Sequence, residues 1–495
     1  MYNSQDLRQV LALRQAMMSG DEKRFKEQRE AGKWTARERI AKLADEGSFV
    51  ELFALVSEQD EGAGVITGFA TIRERPVYLF AQDFTVRGGA MGKAQAKKIV
   101  RVLDMAQKTG APVLALCDSA GVRIDEGAEA MNAYAEICQK MARLSGVCPT
   151  IVLVLGPCIG GGALLAHLAD MSIMAEDVGR MMVFGPQVLA AMNGLDVEPK
   201  ALGGAEMMAG QGGCTLVAEN EESAMALAVQ VLSMLPACNL EDAEIVDGDD
   251  MSRLLPAIDP SDVDGLWSAL ADGGGVLELY KTYEPSIRVA LARMGGRTVG
   301  MVATAGGESG PYLTAGALGK AASFVRFMDC YNIPVVSLMN TKGVSVTDIH
   351  AQSRLMAAQS QLLYAYAEAT VPKLCVVTGD AIGQAYVAMG GKGNADVTYA
   401  WPSATISALA PEAAVAVLYG DRVKADTAIS VQEAREKYAD EYVRDVAGAV
   451  NAAKCGAVDD IIDPALTRSM LIAALEMLAS KRDSNLPKKH GNMPL

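Results

Sequence analysis

The stretch Gly156-Pro157-Cys158-Ile159-Gly160-Gly161-Gly162-Ala163 stands between two apolar runs, Thr150-Ile151-Val152-Leu153-Val154-Leu155 and Leu164-Leu165-Ala166-His167-Leu168-Ala169. The first run reads as a buried parallel strand and the second as a helix. A strand, a glycine turn and a helix leave bare backbone N–H groups at the positive end of the helix dipole, which suits an oxyanion or a phosphate. One such turn is more often a plain corner than a ligand site. A second copy, Gly379-Asp380-Ala381-Ile382-Gly383-Gln384-Ala385-Tyr386, follows the apolar run Leu374-Cys375-Val376-Val377 and changes that balance. Each copy has a second strand end that offers amides, Gly121-Val122 in the first and Thr341-Lys342-Gly343 in the second. Paired N–H donors of this kind form an oxyanion hole for a carbonyl that becomes negative, and each donor contributes on the order of 3 kcal/mol to the transition state. Two holes in one chain imply two carbonyl-type reactants. No Ser–His pair stands at either turn, so the base or nucleophile is expected from a reactant or cofactor.

The elements that would position these turns occur twice. Leu43-Ala44-Asp45-Glu46-Gly47 is echoed from Leu270 (270 − 43 = 227), and Gly89 to Lys93 by Gly316-Ala317-Leu318-Gly319-Lys320 (316 − 89 = 227). Ala111-Pro112-Val113 is echoed by Ile333-Pro334-Val335 (333 − 111 = 222), and Ile159-Gly160 by Ile382-Gly383 (382 − 159 = 223). Four echoes in one order identify a tandem duplication. Both copies alternate strands with helices, so an α/β fold with largely parallel sheets is expected. The acidic stretch 239–264 is the expected joint, with domains over residues 1–245 and 246–495. Residues 1 to about 45 read as a charged, solvated helical arm of the kind that packs on a partner subunit.

Composition excludes several classes. The chain has 495 residues, half of them hydrophobic, and a net charge of −15, which argues against a nucleic-acid partner. Its nine cysteines are spread singly and are expected to be reduced thiols, several of them buried (Cys117, Cys158, Cys375). Only His167, His350 and His490 are present, so neither a zinc cluster nor a catalytic histidine is expected, and His167 reads as a packed residue. No signal pattern and no membrane-length apolar run occur, which points to a cytoplasmic protein.

Further motifs carry a resemblance. They are Thr35-Ala36-Arg37-Glu38-Arg39-Ile40, Gln82-Asp83-Phe84-Thr85-Val86-Arg87-Gly88-Gly89, Gly156-Pro157-Cys158, residues 363–373 (Leu-Tyr-Ala-Tyr-Ala-Glu-Ala-Thr-Val-Pro-Lys), Tyr399-Ala400-Trp401-Pro402 and Lys488-Lys489-His490-Gly491-Asn492-Met493-Pro494-Leu495. With these the chain resembles, nearly end to end, the carboxyltransferase subunits of biotin-dependent acyl-CoA carboxylases and decarboxylases, of the propionyl-CoA carboxylase beta and methylmalonyl-CoA decarboxylase alpha type.

The resemblance implies two crotonase-like (ClpP/crotonase) domains, the first on the acyl-CoA side and the second on the biotin side. It implies a site between the first domain of one subunit and the second of another, hence a homo-oligomer, often a hexamer. The enolate or thioester oxygen would face Gly121, Val122, Gly160 and Gly161, and the biotin ureido oxygen Gly383, Gln384 and Ala385. Ser119, Ala120, Arg123 and Gly162, and Lys342, Gly343, Tyr386 and Val387, would contact substrate, with Val387 near the acyl chain. No metal is implied. The sequence has no Ala-Met-Lys-Met biotin site and no G-x-x-x-x-G-K-[ST] loop, so a biotin carboxyl carrier protein and a biotin carboxylase or membrane decarboxylase subunit are expected as partners. The chain departs from the family at Asp118-Ser119-Ala120-Gly121-Val122-Arg123-Ile124, where Asp-Ser-Gly-Gly-Ala-Arg-Ile is usual. It departs again at Asn340-Thr341-Lys342-Gly343-Val344 for Asp-Val-Pro-Gly-Phe, at Gly383-Gln384-Ala385-Tyr386 for Gly-Gly-Ala-Tyr, and at Gly213-Cys214-Thr215-Leu216, where a histidine motif often stands. The altered loop at Lys342 and the bulkier Gln384 motivate a second reading, a non-catalytic scaffold paralogue. A third, a single-domain enoyl-CoA hydratase or isomerase, is opposed by the duplication.

Overall fold

The structure, a computed structural model, describes residues 4–18, 22–58, 61–305, 310–345 and 352–492. His350 and the last three residues of the C-terminal motif lie outside the described residues. The chain divides into two compact units, Met1–Asp242 and Ala243–Leu495.

In the first unit eight strands form one sheet, in the order Val50–Leu52, Val65–Ile72, Arg75–Gln82, Val113–Ser119, Thr150–Ile159, Met171–Ala175 and Leu216–Ala218, with Arg180–Met182 beside Thr150–Ile159. The first three pair antiparallel and the rest parallel. The second unit repeats this with Val276–Leu279, Ile287–Met294, Arg297–Thr304, Val335–Thr341, Lys373–Ile382, Val397–Ala400 and Asp460–Ile461, and Thr405–Ser407 beside Lys373–Ile382. Order and strand sense agree in both units, which is the duplication in three dimensions.

All seven residues of Val113–Ser119 are buried, as a strand covered on both faces requires. The helices Lys93–Thr109 and Ala128–Leu144 bring Ile99, Leu103, Ile137 and Met141 to the core against Val152 and Val154.

Two expectations about register change. The helix Ala36–Leu43 and its counterpart Val263–Leu270 do stand 227 positions apart (263 − 36). The second strands, Val65–Ile72 and Ile287–Met294, stand 222 apart (287 − 65), because the first unit carries an extra hairpin, Ser57–Glu58 with Glu61–Gly62, in between. Lys320 therefore corresponds to Lys98, not to Lys93. Each is the sixth residue of its helix, Lys93–Thr109 or Ala315–Cys330. Lys98 Nζ donates to Val65 O at 2.6 Å, and Lys320 Nζ donates to the carbonyls of Tyr283 and Glu284.

Burial lowers both lysines to about 8. Their folded values lie below the unfolded one, so their contribution to stability is complete above about 10.5 and is lost as pH falls through about 8. We expect the stability of wild type relative to a Lys98→Met/Lys320→Met variant to rise between pH 8 and 10.5, by about 3 kcal/mol per lysine at most. Urea unfolding across that range measures it, and a flat difference would mean that the carbonyls keep both ammoniums charged.

The N-terminal arm is also corrected. Its first helix, Ser4–Met18, leaves Leu7 and Leu11 exposed, but Arg39 and Ile40 in the third are buried. Thr35 and Glu38 cap that helix with a reciprocal box, and Gln28, Lys33, Ala36, Arg39, Ile40 and Leu43 are buried, so this part of the segment is anchored rather than a solvated arm. His167 is exposed. Leu165 and Ala166 face inward on the same helix and leave His167 on the outer side.

Candidate active site

In both units the site is two neighbouring strand ends. Strand Thr150–Ile159 runs through Gly156-Pro157-Cys158-Ile159, four residues beyond the expected end, so the turn proper is Gly160 alone, followed by the helix Gly161–Leu168. Gly160 has φ +62° and ψ −116°, and Gly383 has φ +62° and ψ −135°, a region essentially closed to residues with a Cβ. The other strand end turns at Gly121 (φ +113°) in the first unit and at Gly343 (φ +112°) in the second. Ser119 pairs with Cys158, and Thr341 with Ala381, which places the two turns of each unit side by side. A Cβ on Gly121 would stand 3.7 Å from that of Ile159, and one on Gly343 would stand 3.4 Å from Ile382 O.

The amides divide into committed and open ones. Gly160 N–H donates to Met182 O (2.9 Å) and Gly383 N–H to Ser407 O (2.8 Å). Gly121 N–H reaches Ser119 Oγ and Gly343 N–H reaches Thr341 Oγ1, each at 3.2 Å. Ala120 N–H donates to Gly88 O and Lys342 N–H to Pro311 O. Among the described residues, no hydrogen bond uses the N–H of Val122 or Gly161, or of Val344 or Gln384. These are corresponding pairs, because Val344 stands where Val122 does, with Val122 bridged to Met91 and Val344 to Leu313. Val344 was missed in favour of Lys342. The 222 offset applied to Val122 would have found it.

The remaining candidates fall into place around the turns. Ser119 is buried and staples its own turn. Arg123 is 4% exposed and its guanidinium is directed inward, to Ala90 O, Ala63 O and Glu126. Gly162 lies against the Tyr134 phenol. Ala120, Gln384 and Val387 are exposed, Lys342 and Tyr386 half-buried, and Ala385 buried. Tyr386 donates its hydroxyl to Ala457 O at 2.5 Å, and burial raises its pKa. Tyr134, not anticipated from the sequence, touches both turns of the first unit. Its ring packs on Gly161 and its hydroxyl donates to Gly121 O at 3.3 Å. Among the described residues there is no group of three or more His, Cys, Asp or Glu that could hold a metal, and no helix long and apolar enough to cross a membrane. Each unit thus offers two open amides on neighbouring turns, an arrangement able to stabilise a developing oxyanion.

Comparison with known proteins agrees with this chemistry. Residues 27–493 match the carboxyl transferase domain family. The chain is 38% identical to methylmalonyl-CoA decarboxylase subunit alpha of Veillonella parvula over 96% of both chains. It is 38% identical to the methylmalonyl-CoA carboxyltransferase 12S subunit of Propionibacterium freudenreichii subsp. shermanii, over 96% of this chain and 94% of that one. The solved hexameric transcarboxylase 12S with hydrolysed methylmalonyl-coenzyme A bound superposes over the whole of both chains, with a TM-score of 0.93 at 36% identity. The chain belongs to the carboxyl transferase family and is a biotin-dependent acyl-CoA carboxyltransferase with a duplicated crotonase-like fold.

Proposed function

We propose that the chain moves a carboxyl group between carboxybiotin on a carrier protein and the α-carbon of an acyl-CoA, with one amide pair for each reactant. The observation that carries this is the equivalence of Val122/Gly161 and Val344/Gln384, four open amides on matching strand ends. In the first unit Val122 and Gly161 hold the thioester oxygen and strengthen that hold as it becomes an enolate oxygen. In the second, Val344 and Gln384, with Ala385 behind them, hold the ureido oxygen. Carboxybiotin supplies the carboxyl group and, once it is transferred, a ureido nitrogen able to take a proton. The protein supplies position and anion stabilisation. Backbone donors are indifferent to the side chains at Lys342, Val344 and Gln384, and both turns keep matching dihedral angles, which favours an enzyme over a scaffold.

The same reading gives the chain a cytoplasmic place in a homo-oligomer, a hexamer as in transcarboxylase 12S. The first unit of one subunit faces the second unit of another, and a biotin carrier joins with either a biotin carboxylase or a membrane decarboxylase subunit. The test is carboxyl exchange between free biotin and methylmalonyl-CoA by the purified chain, with its mass followed by light scattering. Exchange by a hexamer is expected. An inert oligomer would favour the scaffold, and an active monomer would end the shared-site reading.

Substrate choice is expected to turn on Lys342 and Val387. Lys342 is half-buried beside Gly343, on the strand end next to Ile382. An ammonium there would favour an anionic acyl group or the transferred carboxylate by a few kcal/mol at an effective dielectric near 20. We expect a dicarboxylic acyl-CoA to show a higher kcat/KM than its monocarboxylic analogue, and Lys342→Met to remove the preference. A ratio unchanged by that substitution would leave acyl selection to the exposed Val387 and its neighbours.

A further inference from the structure

The two units hold corresponding turns by different chemistry. In the second, the residue before Thr341 is Asn340, held by neutral groups. Its N–H donates to Thr304 Oγ1 (2.7 Å), its side-chain oxygen accepts from Asp380 N–H (3.0 Å), and its side-chain nitrogen reaches Ser261 Oγ at 3.4 Å. In the first, the same place is Asp118, which is 0% exposed. Its carboxylate accepts from Lys33 Nζ at 2.8 and 3.0 Å, from Arg39 at 2.9 Å and from Gln28 Nε2 at 3.3 Å. All three donors come from residues 28–39, far from the turn in sequence.

Asp118 is tied to the catalytic backbone in two directions. Its N–H donates to Gln82 Oε1 (3.2 Å), Gln82 Nε2 to Gln95 Oε1 (3.0 Å), and Gln95 Nε2 to Gly64 O and Gly89 O (3.1 and 3.2 Å). Gly89 leads to Met91, whose N–H donates to Gly121 O (2.7 Å) and whose carbonyl accepts from Arg123 N–H (2.8 Å), so the two bonds flank Val122. On the other side, a Cβ on Gly156 would stand 2.0 Å from Asp118 Oδ1. The carboxylate thus lies directly against strand Thr150–Ile159, which leads through Gly160 to Gly161. Buried polar networks fix geometry when their members are satisfied. In this one Gln28 Oε1 is left without a partner among the described residues, while both oxygens of Asp118 are held, and the geometry they hold is the aim of one amide.

We propose that Asp118, clamped by Lys33 and Arg39, is a positioning residue that sets the direction of the Val122 amide, making residues 28–39 part of the support of the acyl-CoA side. The inference rests on the reading that Val122 and Gly161 receive the enolate oxygen. Asp118→Asn keeps the shape and removes the charge that two buried cations share. Lys33→Met, at the edge of the cluster, is the gentler companion.

The experiment compares the affinity of the oligomeric enzyme for an acyl-CoA thioester with that for a CoA thioether ending in a nitronate, whose charged oxygens mimic the enolate. Wild type should prefer the nitronate by at least tens of fold. Asp118→Asn should lower that preference at least tenfold, with the thioester Kd changed less than threefold and kcat reduced at nearly constant KM. Lys33→Met should move in the same direction by less. A merely structural role would weaken both ligands together or lower Tm with the preference kept, and either result overturns the assignment. No nitronate preference in wild type would instead remove the oxyanion reading itself. Should Asp118→Asn fail to assemble, an unchanged preference in Lys33→Met overturns the proposal alone.

Discussion

Gly161→Val should lower kcat for carboxyl transfer by about 10²–10³-fold, the loss that follows when an oxyanion donor is misplaced. From the sequence, the expected cause is a Cβ pushed into the oxyanion position of an otherwise sound fold. The structure gives another cause. A Cβ on Gly161 would meet the Tyr134 ring at 2.5 Å, too close for any real contact. Tyr134 is 5% exposed and cannot swing into solvent. Its hydroxyl also bonds Gly121 O, so moving the ring disturbs both turns at once. The second unit supplies the control. Gln384 occupies the place of Gly161 and already carries an exposed side chain there. Gln384→Val should therefore cost less than tenfold. Steady-state kinetics on both variants, with light scattering to show assembly, separates the cases. Near-normal transfer by Gly161→Val would sink the proposed hole, and equal losses at the two positions would sink the collision argument.

What could be read from the residues alone was the part written in glycine and in apolar runs. Gly160 and Gly383 announce themselves because few other residues tolerate their dihedral angles, and the buried strands because they are continuous in Val, Leu and Ile. The doubled topology followed from the echoes. The exact correspondence did not, because an inserted hairpin before Val65 shifts the offset, and this misassigned Lys320 and passed over Val344. Which amides are open could not be read either. That depends on neighbours far away in sequence, as Met182 O takes the Gly160 amide and Pro311 O takes that of Lys342. Arg123 reads as a substrate-facing cation until its burial is seen. The Lys33–Asp118–Arg39 cluster left no periodic trace at all, since helix Ala36–Leu43 presents its buried arginine within a strongly charged sequence.

That arginine carries the largest stability effect we expect. Arg39 is fully buried and satisfies three elements. It donates to Asp118 at 2.9 Å, to both oxygens of Glu221 at 2.7 and 3.0 Å, and to Leu155 O at 2.7 Å. A buried ion pair is a weak net stabiliser, but removing one partner leaves the other charge buried without compensation, which costs about 3–5 kcal/mol. Arg39→Met should destabilise by about that amount. Asp118 keeps Lys33, so the deficit falls mainly on Glu221, whose remaining hydrogen bond among the described residues is from Trp34 N–H at 3.4 Å. Burial already raises the Glu221 pKa against the pull of Arg39, and without the guanidinium it rises further. A carboxyl with a raised folded pKa contributes most below its unfolded value and loses that contribution as pH rises through the folded one. The deficit of Arg39→Met should therefore be small near pH 4.5 and grow toward neutrality. Glu221→Gln added to Arg39→Met should recover about 1–3 kcal/mol, the coupling expected of groups in direct contact. Urea unfolding of wild type, both single variants and the double at several pH values measures this. A deficit independent of pH, with additive losses in the double variant, would show that Arg39 acts through packing rather than through its charge.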